Sequence, residues 1–144
     1  MIEEFQKEYR FLSNFHPVKV VLDGEIYPSV EHAYQAAKTL DLIWRNKIRK
    51  CQTPGQSKRM GRNAPIRADW NDIKIKTMKH LLNQKFEDPQ LLKKLLDTYP
   101  QHIQEGNRWG DKFWGICLKT GRGNNYLGKL IMNIRNNYIM QETK

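Results

Sequence analysis

Turn residues recur at His16-Pro17, Asp23-Gly24, Thr53-Pro54-Gly55, Asp88-Pro89, Tyr99-Pro100 and Gly121 to Gly123, and no long uninterrupted helix or strand can run through those points. Proline lacks an amide hydrogen and fixes φ, and glycine loses more backbone entropy than other residues when held in a regular element. The stretches between are short and periodic, with no repeat, low-complexity tract or Pro/Gly-rich linker. The 144 residues are therefore expected to form one domain, residues 1–144 with a core over about 5–140, large enough to bury a hydrophobic interior without disulfides or metal.

Val18 to Leu22 and Glu25 to Tyr27 alternate around Asp23-Gly24, which predicts a hairpin. Ser29 precedes Glu31 and the helix formers Ala33 to Leu40, which predicts a capped helix over Val30 to Thr39. Further helices are expected over about Asp41 to Lys50, Thr53 to Met60 and Trp70 to Lys85. Asp88-Pro89 starts another, with Leu91, Leu92, Leu95 and Leu96 as its apolar stripe and Tyr99-Pro100 as its end. The chain then reads as a strand around His102 to Glu105, a loop over Gly106 to Lys112, a strand over Phe113 to Leu118, a helix over Tyr126 to Tyr138, and a tail that frays from Gln141. The class is α+β, mostly helical, with a small β component.

No run approaches the roughly 18 apolar residues of a membrane span, and Met1-Ile2-Glu3-Glu4 is acidic where a secretory signal is basic. Cys51 and Cys117 lack Cys or His partners at metal-ligand spacing, so neither a disulfide scaffold nor a metal site is expected, and a cytoplasmic setting is. No cofactor and no obligate protein partner is indicated. Charge is the outlier: the net charge is +10, and Leu42 to Ala68 holds eight Lys and Arg with no acid. Such a window suits a polyanion, nucleic acid or a phosphorylated small molecule, although it also fits a solvated basic face.

Three segments could carry chemistry. In Ser29 to Lys38, Glu31, Gln35 and Lys38 stand at i, i+4 and i+7 beside Tyr34, a polar stripe on a helix otherwise built of small residues. The stripe is either a solvent-facing surface or a buried site. If desolvated near other cations, the Lys38 amine loses its proton and becomes a nucleophile toward a carbonyl or anomeric carbon, while Glu31 is either a protonated acid or an ionised partner of Lys38. In Glu105 to Gly115, Trp109 and Trp114 offer stacking faces, and Asp111 or Glu105 could bind ribose hydroxyls or stabilise a sugar cation. In Gly121 to Gly128, a loop containing Asn125 opens a helix whose free amides favour phosphate, and Arg62 in Gly61-Arg62-Asn63 is a second phosphate candidate.

Taken in order, Phe11-Leu12-Ser13-Asn14-Phe15, Tyr27 to Lys38, Gly61-Arg62, Trp109 to Gly115 and Asn125 to Arg135 resemble the NADAR family, named for NAD and ADP-ribose, over residues 11–135. The resemblance implies a compact, mostly helical α+β domain and metal-independent hydrolysis of N-glycosides. It implies an imine-forming lysine at Lys38. Asn14, Tyr34 and Gln35 fall in its motifs, Glu31, Trp109 or Trp114, Asp111 and Asn125 match positions that line its pocket, and Arg62 one suited to phosphate. The expected substrate is ADP-ribosylated guanine in DNA, since a small ribosyl phosphate needs only one or two cations. The alternatives are ribosyl-pyrimidine phosphate intermediates of riboflavin synthesis, or a non-catalytic module that binds ADP-ribose.

Overall fold

The computed structural model describes residues 1–142, which gather into two compact units, one of residues 14–85 and one of residues 1–13 with the chain from Phe86 onward. The fold is mostly helical with short strands, as the sequence predicts.

The unit of residues 14–85 begins with an antiparallel hairpin, β1 (Pro17–Leu22) and β2 (Glu25–Ser29), paired Val20 to Tyr27 and Leu22 to Glu25. Asp23 and Gly24 take φ of 48° and 84°, the left-handed pair that a two-residue turn needs to match strand twist. On leaving β2 the chain enters α1 (Val30–Ala37), where the Ser29 hydroxyl accepts the His32 amide at 3.0 Å. Every residue of α1 is buried, because its alanines let the hairpin, α2 (Leu42–Arg49), α3 (Pro54–Gly61) and α4 (Trp70–Lys85) close around it. Asp41 caps α2, and Thr53 caps α3 with Pro54 in the first turn. Val20, Tyr27, Ala33, Ile48, Met78 and Leu81 form the interior.

Two buried polar links fix α1 in this setting. His32 Nδ1 lies 2.7 Å from Ser29 Oγ and Nε2 lies 2.9 Å from the Cys51 carbonyl. A carbonyl only accepts, so Nε2 carries the proton and Nδ1 accepts from the serine; burial holds the ring below its ordinary pKa. Arg45, read from sequence as part of a basic face, is instead buried: Nε donates to Thr39 O at 2.7 Å and Nη1 to Asp23 Oδ2 at 2.6 Å, tying the hairpin turn to the end of α1. A guanidinium has enough donors to serve two separate acceptors, which is why it, and not a surface lysine, fills this place.

The other unit holds a 3-10 helix (Lys7–Leu12), α5 (Pro89–Leu96), the parallel pair β3 (Gly106–Asn107) and β4 (Ile116–Cys117), and α6 (Tyr126–Glu142). Its core is Ile2, Phe11, Leu12, Phe86, Leu95, Ile103 and Ile131. The 3-10 helix carries no cap or periodic stripe that the sequence reading could use. The strand expected over His102 to Glu105 does not form. Ile103 makes one isolated bridge to Ile2, and strand begins only at Gly106, inside the expected loop. The strand expected over Phe113 to Leu118 shrinks to Ile116–Cys117, since the carbonyls of Phe113, Trp114 and Gly115 accept amides from the start of α6. That helix also continues through Gln141 and Glu142, where fraying was expected; the rest of the tail, Thr143 and Lys144, lies outside the described residues.

Candidate functional site

Glu31, Tyr34, Gln35 and Lys38 share one side of α1, and burial decides between the two readings of that stripe: Glu31 is 7% exposed and Gln35 2%. Gln35 Nε2 donates to Glu31 Oε1 at 2.8 Å. Lys38 ends the row, half-buried, with Nζ 5.5 Å from the centre of the Tyr34 ring, and Tyr34 leans on Trp70 of α4 at 5.2 Å. Burial draws the Lys38 pKa below its ordinary value; Glu31 opposes that pull, and Lys58, Arg62 and Lys74 add to it. The amine therefore has the two conditions for nucleophilic use, partial desolvation and neighbouring cations.

Lys58 and Arg62 come from α3 and its C-cap and Lys74 from α4, so two further elements supply positive charge to the Lys38 amine. Arg62 is exposed, able to reach an anion. Asn14 donates from Nδ2 to Met78 Sδ at 3.6 Å and accepts the Glu31 amide on its backbone carbonyl at 3.1 Å. Among the described residues, Asn14 Oδ1 and Gln35 Oε1 are buried acceptors without a hydrogen-bond partner. Orphaned acceptors of this kind mark places where a ligand hydroxyl is welcome. Gly61 touches this row directly, for a Cβ there would run into the Gln35 side chain. Gly61→Ala is expected to cost about 1–3 kcal/mol of stability by overpacking, read by denaturant unfolding, and to displace the Gln35 contact to Glu31.

The second constellation belongs to the other unit and is a hydrogen-bonded loop. Asn107 Nδ2 donates to Glu105 Oε2 and to Asp111 O, both at 2.9 Å, and Asn107 Oδ1 accepts the Asp111 amide at 2.9 Å. Asp111 Oδ1 accepts the amides of Phe113 at 3.1 Å and Trp114 at 2.9 Å. The loop is thus closed by Asn107, a residue the sequence reading passed over because an asparagine among glycines carries no distinctive local signal. Trp114 stacks edge-on against Phe113 at 4.8 Å, while Trp109 is 64% exposed beside Gly110 at φ +83°.

Asn125 is a backbone clamp. Its Oδ1 accepts the Glu105 amide at 2.9 Å and its Nδ2 donates to Ile103 O at 3.0 Å, and a Cβ at Gly128 would collide with it. The expectation that the α6 N-terminus offers free amides to phosphate is overturned. The amides of Asn124 and Asn125 ahead of α6 and of Tyr126 and Leu127 at its start donate to the carbonyls of Lys112, Gly115, Phe113 and Trp114, so these four are already engaged. Sequence reasoning also passed over Lys74 and Trp70, which meet α1 only through tertiary packing. A separate cleft of about 340 Å³ beside α3, lined by Cys51, Gln56, Arg59, Met60 and Asn63, contains none of the expected site residues.

Comparison with known proteins places this geometry in a family. The NADAR domain profile matches residues 2–138. The chain is 36% identical over 138 residues to N-glycosidase YbiA of Shigella boydii serotype 4, covering 94% of this chain and 85% of that protein. It is 33% identical to a riboflavin biosynthesis protein of Vibrio vulnificus, covering 92% of this chain but only 36% of that one. The NMR structure of the E. coli protein YbiA superposes with a TM-score of 0.84 at 34% identity, covering 99% of this chain and 88% of that chain. A profile match along nearly the whole length and relatives above 30% identity together make the chain a member of the NADAR family, whose N-glycosidase relatives give the reaction class as hydrolysis of N-glycosyl bonds.

Proposed function

We propose that the protein hydrolyses the N-glycosidic bond of a phosphorylated ribosyl substrate through an imine at Lys38. The observation that carries this reading is the half-buried Lys38 amine, drawn below its ordinary pKa by burial and by Lys58, Arg62 and Lys74, about two helical turns along the same face from the buried Glu31. Glu31 gives a proton to the departing base as the bond from its nitrogen to C1′ breaks, and cationic character grows at the sugar. The neutral amine bonds to C1′ as the base leaves, and the C1′–O4′ bond breaks with an amine proton passing to O4′, so that the sugar opens as the imine. One water then adds to the imine, returning the free amine and the sugar aldehyde, with the surplus proton passing to Glu31. Asn14 Oδ1, a buried acceptor, suits a ribose hydroxyl, and the cations around Lys38 suit a phosphate.

The leading substrate is ADP-ribosylated guanine in DNA, because the exposed Lys47, Lys50, Arg59 and Arg62 extend positive charge well beyond what one phosphate needs. A second reading, ribosyl-pyrimidine phosphates of riboflavin synthesis, is favoured by the name of the Vibrio vulnificus relative. Base release from ADP-ribosylated oligonucleotides and from riboflavin-pathway ribosides, measured on one preparation across a salt series, decides between them. A DNA substrate is expected to lose rate steeply as salt rises, a free nucleotide only gently. Tight ADP-ribose binding with no base released from either substrate would mean a binding module and would defeat the enzymatic reading.

A further inference from the structure

Leu40, Leu42, Ile43 and Ile66 are 63%, 76%, 70% and 64% exposed. Three of them flank Asp41 at the start of α2, and the bond from the Arg67 amide to Lys38 O, 2.8 Å, brings the chain next to Ile66 to the end of α1. Four large aliphatic side chains thus stand in water around the junction that carries Lys38. Single apolar residues on a surface are ordinary, whereas a cluster of this size marks a surface made to be covered.

Charge settles what covers it. Residues 38–68 carry nine Lys and Arg against one carboxylate, Asp41. That carboxylate is turned onto the amides of Ile43 and Trp44, where it caps α2. Arg45 is buried and Arg67 is paired with Asp69, yet Lys47, Lys50, Arg59 and Arg62 remain exposed. A second copy docking through this face by a two-fold axis would set the same cationic surface against itself. A nucleic-acid strand is drawn to the charged rim and can lay bases against the aliphatic centre, as wedge residues do when a base is unstacked.

We propose that Leu40, Leu42, Ile43 and Ile66 form a wedge on which a nucleic-acid strand rests beside Lys38, bases against the aliphatic side chains and phosphates against the surrounding lysines and arginines. The inference rests on the nucleic-acid reading of the substrate given above. It assigns to this face the part of the strand that flanks the modified base, so that the base itself is free to reach the amine.

The triple variant Leu42→Ser/Ile43→Ser/Ile66→Ser changes only exposed positions and is expected to keep its fold by circular dichroism. Fluorescence anisotropy with an unmodified single-stranded oligonucleotide of about twelve nucleotides reads the wedge directly. The variant is expected to bind it about tenfold more weakly, and to release base from the free nucleoside ADP-ribosyl-guanosine at the parental rate. Unchanged oligonucleotide affinity overturns the wedge. So does a parental dimer that the variant dissociates in sedimentation, which assigns the face to a second copy. So does a parental affinity for phosphatidylserine vesicles that the variant loses while keeping the oligonucleotide. If the parental protein releases base from no substrate yet its oligonucleotide binding depends on these residues, the proposed reaction fails and the wedge stands.

Discussion

Lys38→Ala is expected to lower base release by at least about 10³-fold, the scale seen when a nucleophile is removed from a working site. Lys38→Arg should fail equally, because a guanidinium stays protonated and cannot form an imine. Neither loss should come from unfolding. Burial disfavours the ammonium at this position, so Lys38→Met, which keeps the aliphatic stem and drops the charge, is expected to match or exceed the parental midpoint in denaturant. The sign of the pH dependence follows from the same shift. A lowered pKa means the neutral amine is populated as pH rises through a value below the ordinary 10.5, so the rate should climb with pH over that interval and level off above it. Cyanoborohydride added during turnover should reduce the imine and leave a stable adduct on the peptide containing Lys38, found by mass spectrometry. An adduct elsewhere, or a Lys38→Ala variant that still turns over, would remove the imine route.

The helical stripe proposed for this chemistry was legible because its signals are local. Ser29 announces the cap, and i, i+4, i+7 spacing puts Glu31, Gln35 and Lys38 on one side whatever surrounds them. Whether that side met water or protein was not legible, since only the packing of α2, α3 and α4 around α1 decides it, and no periodicity within ten residues contains that information. For the same reason Lys74, outside the basic window of Leu42 to Ala68, escaped notice although it helps set the state of Lys38. The strands of the other unit were misjudged for a related cause. Phe113 to Leu118 was read as one strand, but the competing use of its carbonyls comes from Asn125 to Leu127, which follow in sequence as a helix start. The loop-helix segment there was read as a phosphate cradle by its composition, and the same amides turned out to close the protein's own backbone. Arg45 shows the limit of charge counting, because a residue counted toward a solvent-facing surface serves as an internal clamp.

Glu31→Gln separates two roles that the carboxylate could hold, each with its own mark on the pH profile. Glu31 raises the Lys38 pKa against the pull of burial and of Lys58, Arg62 and Lys74. Removing its charge leaves those cations unopposed, so the amine deprotonates more easily and the rising limb of the rate moves to lower pH. A carboxylate that acted only as a counter-ion would therefore yield a variant that gains rate at low pH and keeps its plateau. If Glu31 also protonates the departing base, the plateau falls by about 10²–10⁴-fold, the usual contribution of a general acid. The fall in plateau is the expected result, because a Glu31 that keeps a proton for the departing base carries no charge with which to hold the Lys38 pKa up. A ribosyl substrate whose leaving group departs without protonation should recover most of the lost plateau in Glu31→Gln, whereas Asp111→Asn, measured alongside, should show no such recovery if Glu31 is the acid. Lys74→Met supplies the opposite control: with one repelling cation gone, the rising limb should move to higher pH and the plateau should stay. A limb that stays fixed in both variants would show that Lys38 is not the group being titrated. An unchanged Glu31→Gln plateau would return the carboxylate to the role of a buried partner held by Gln35.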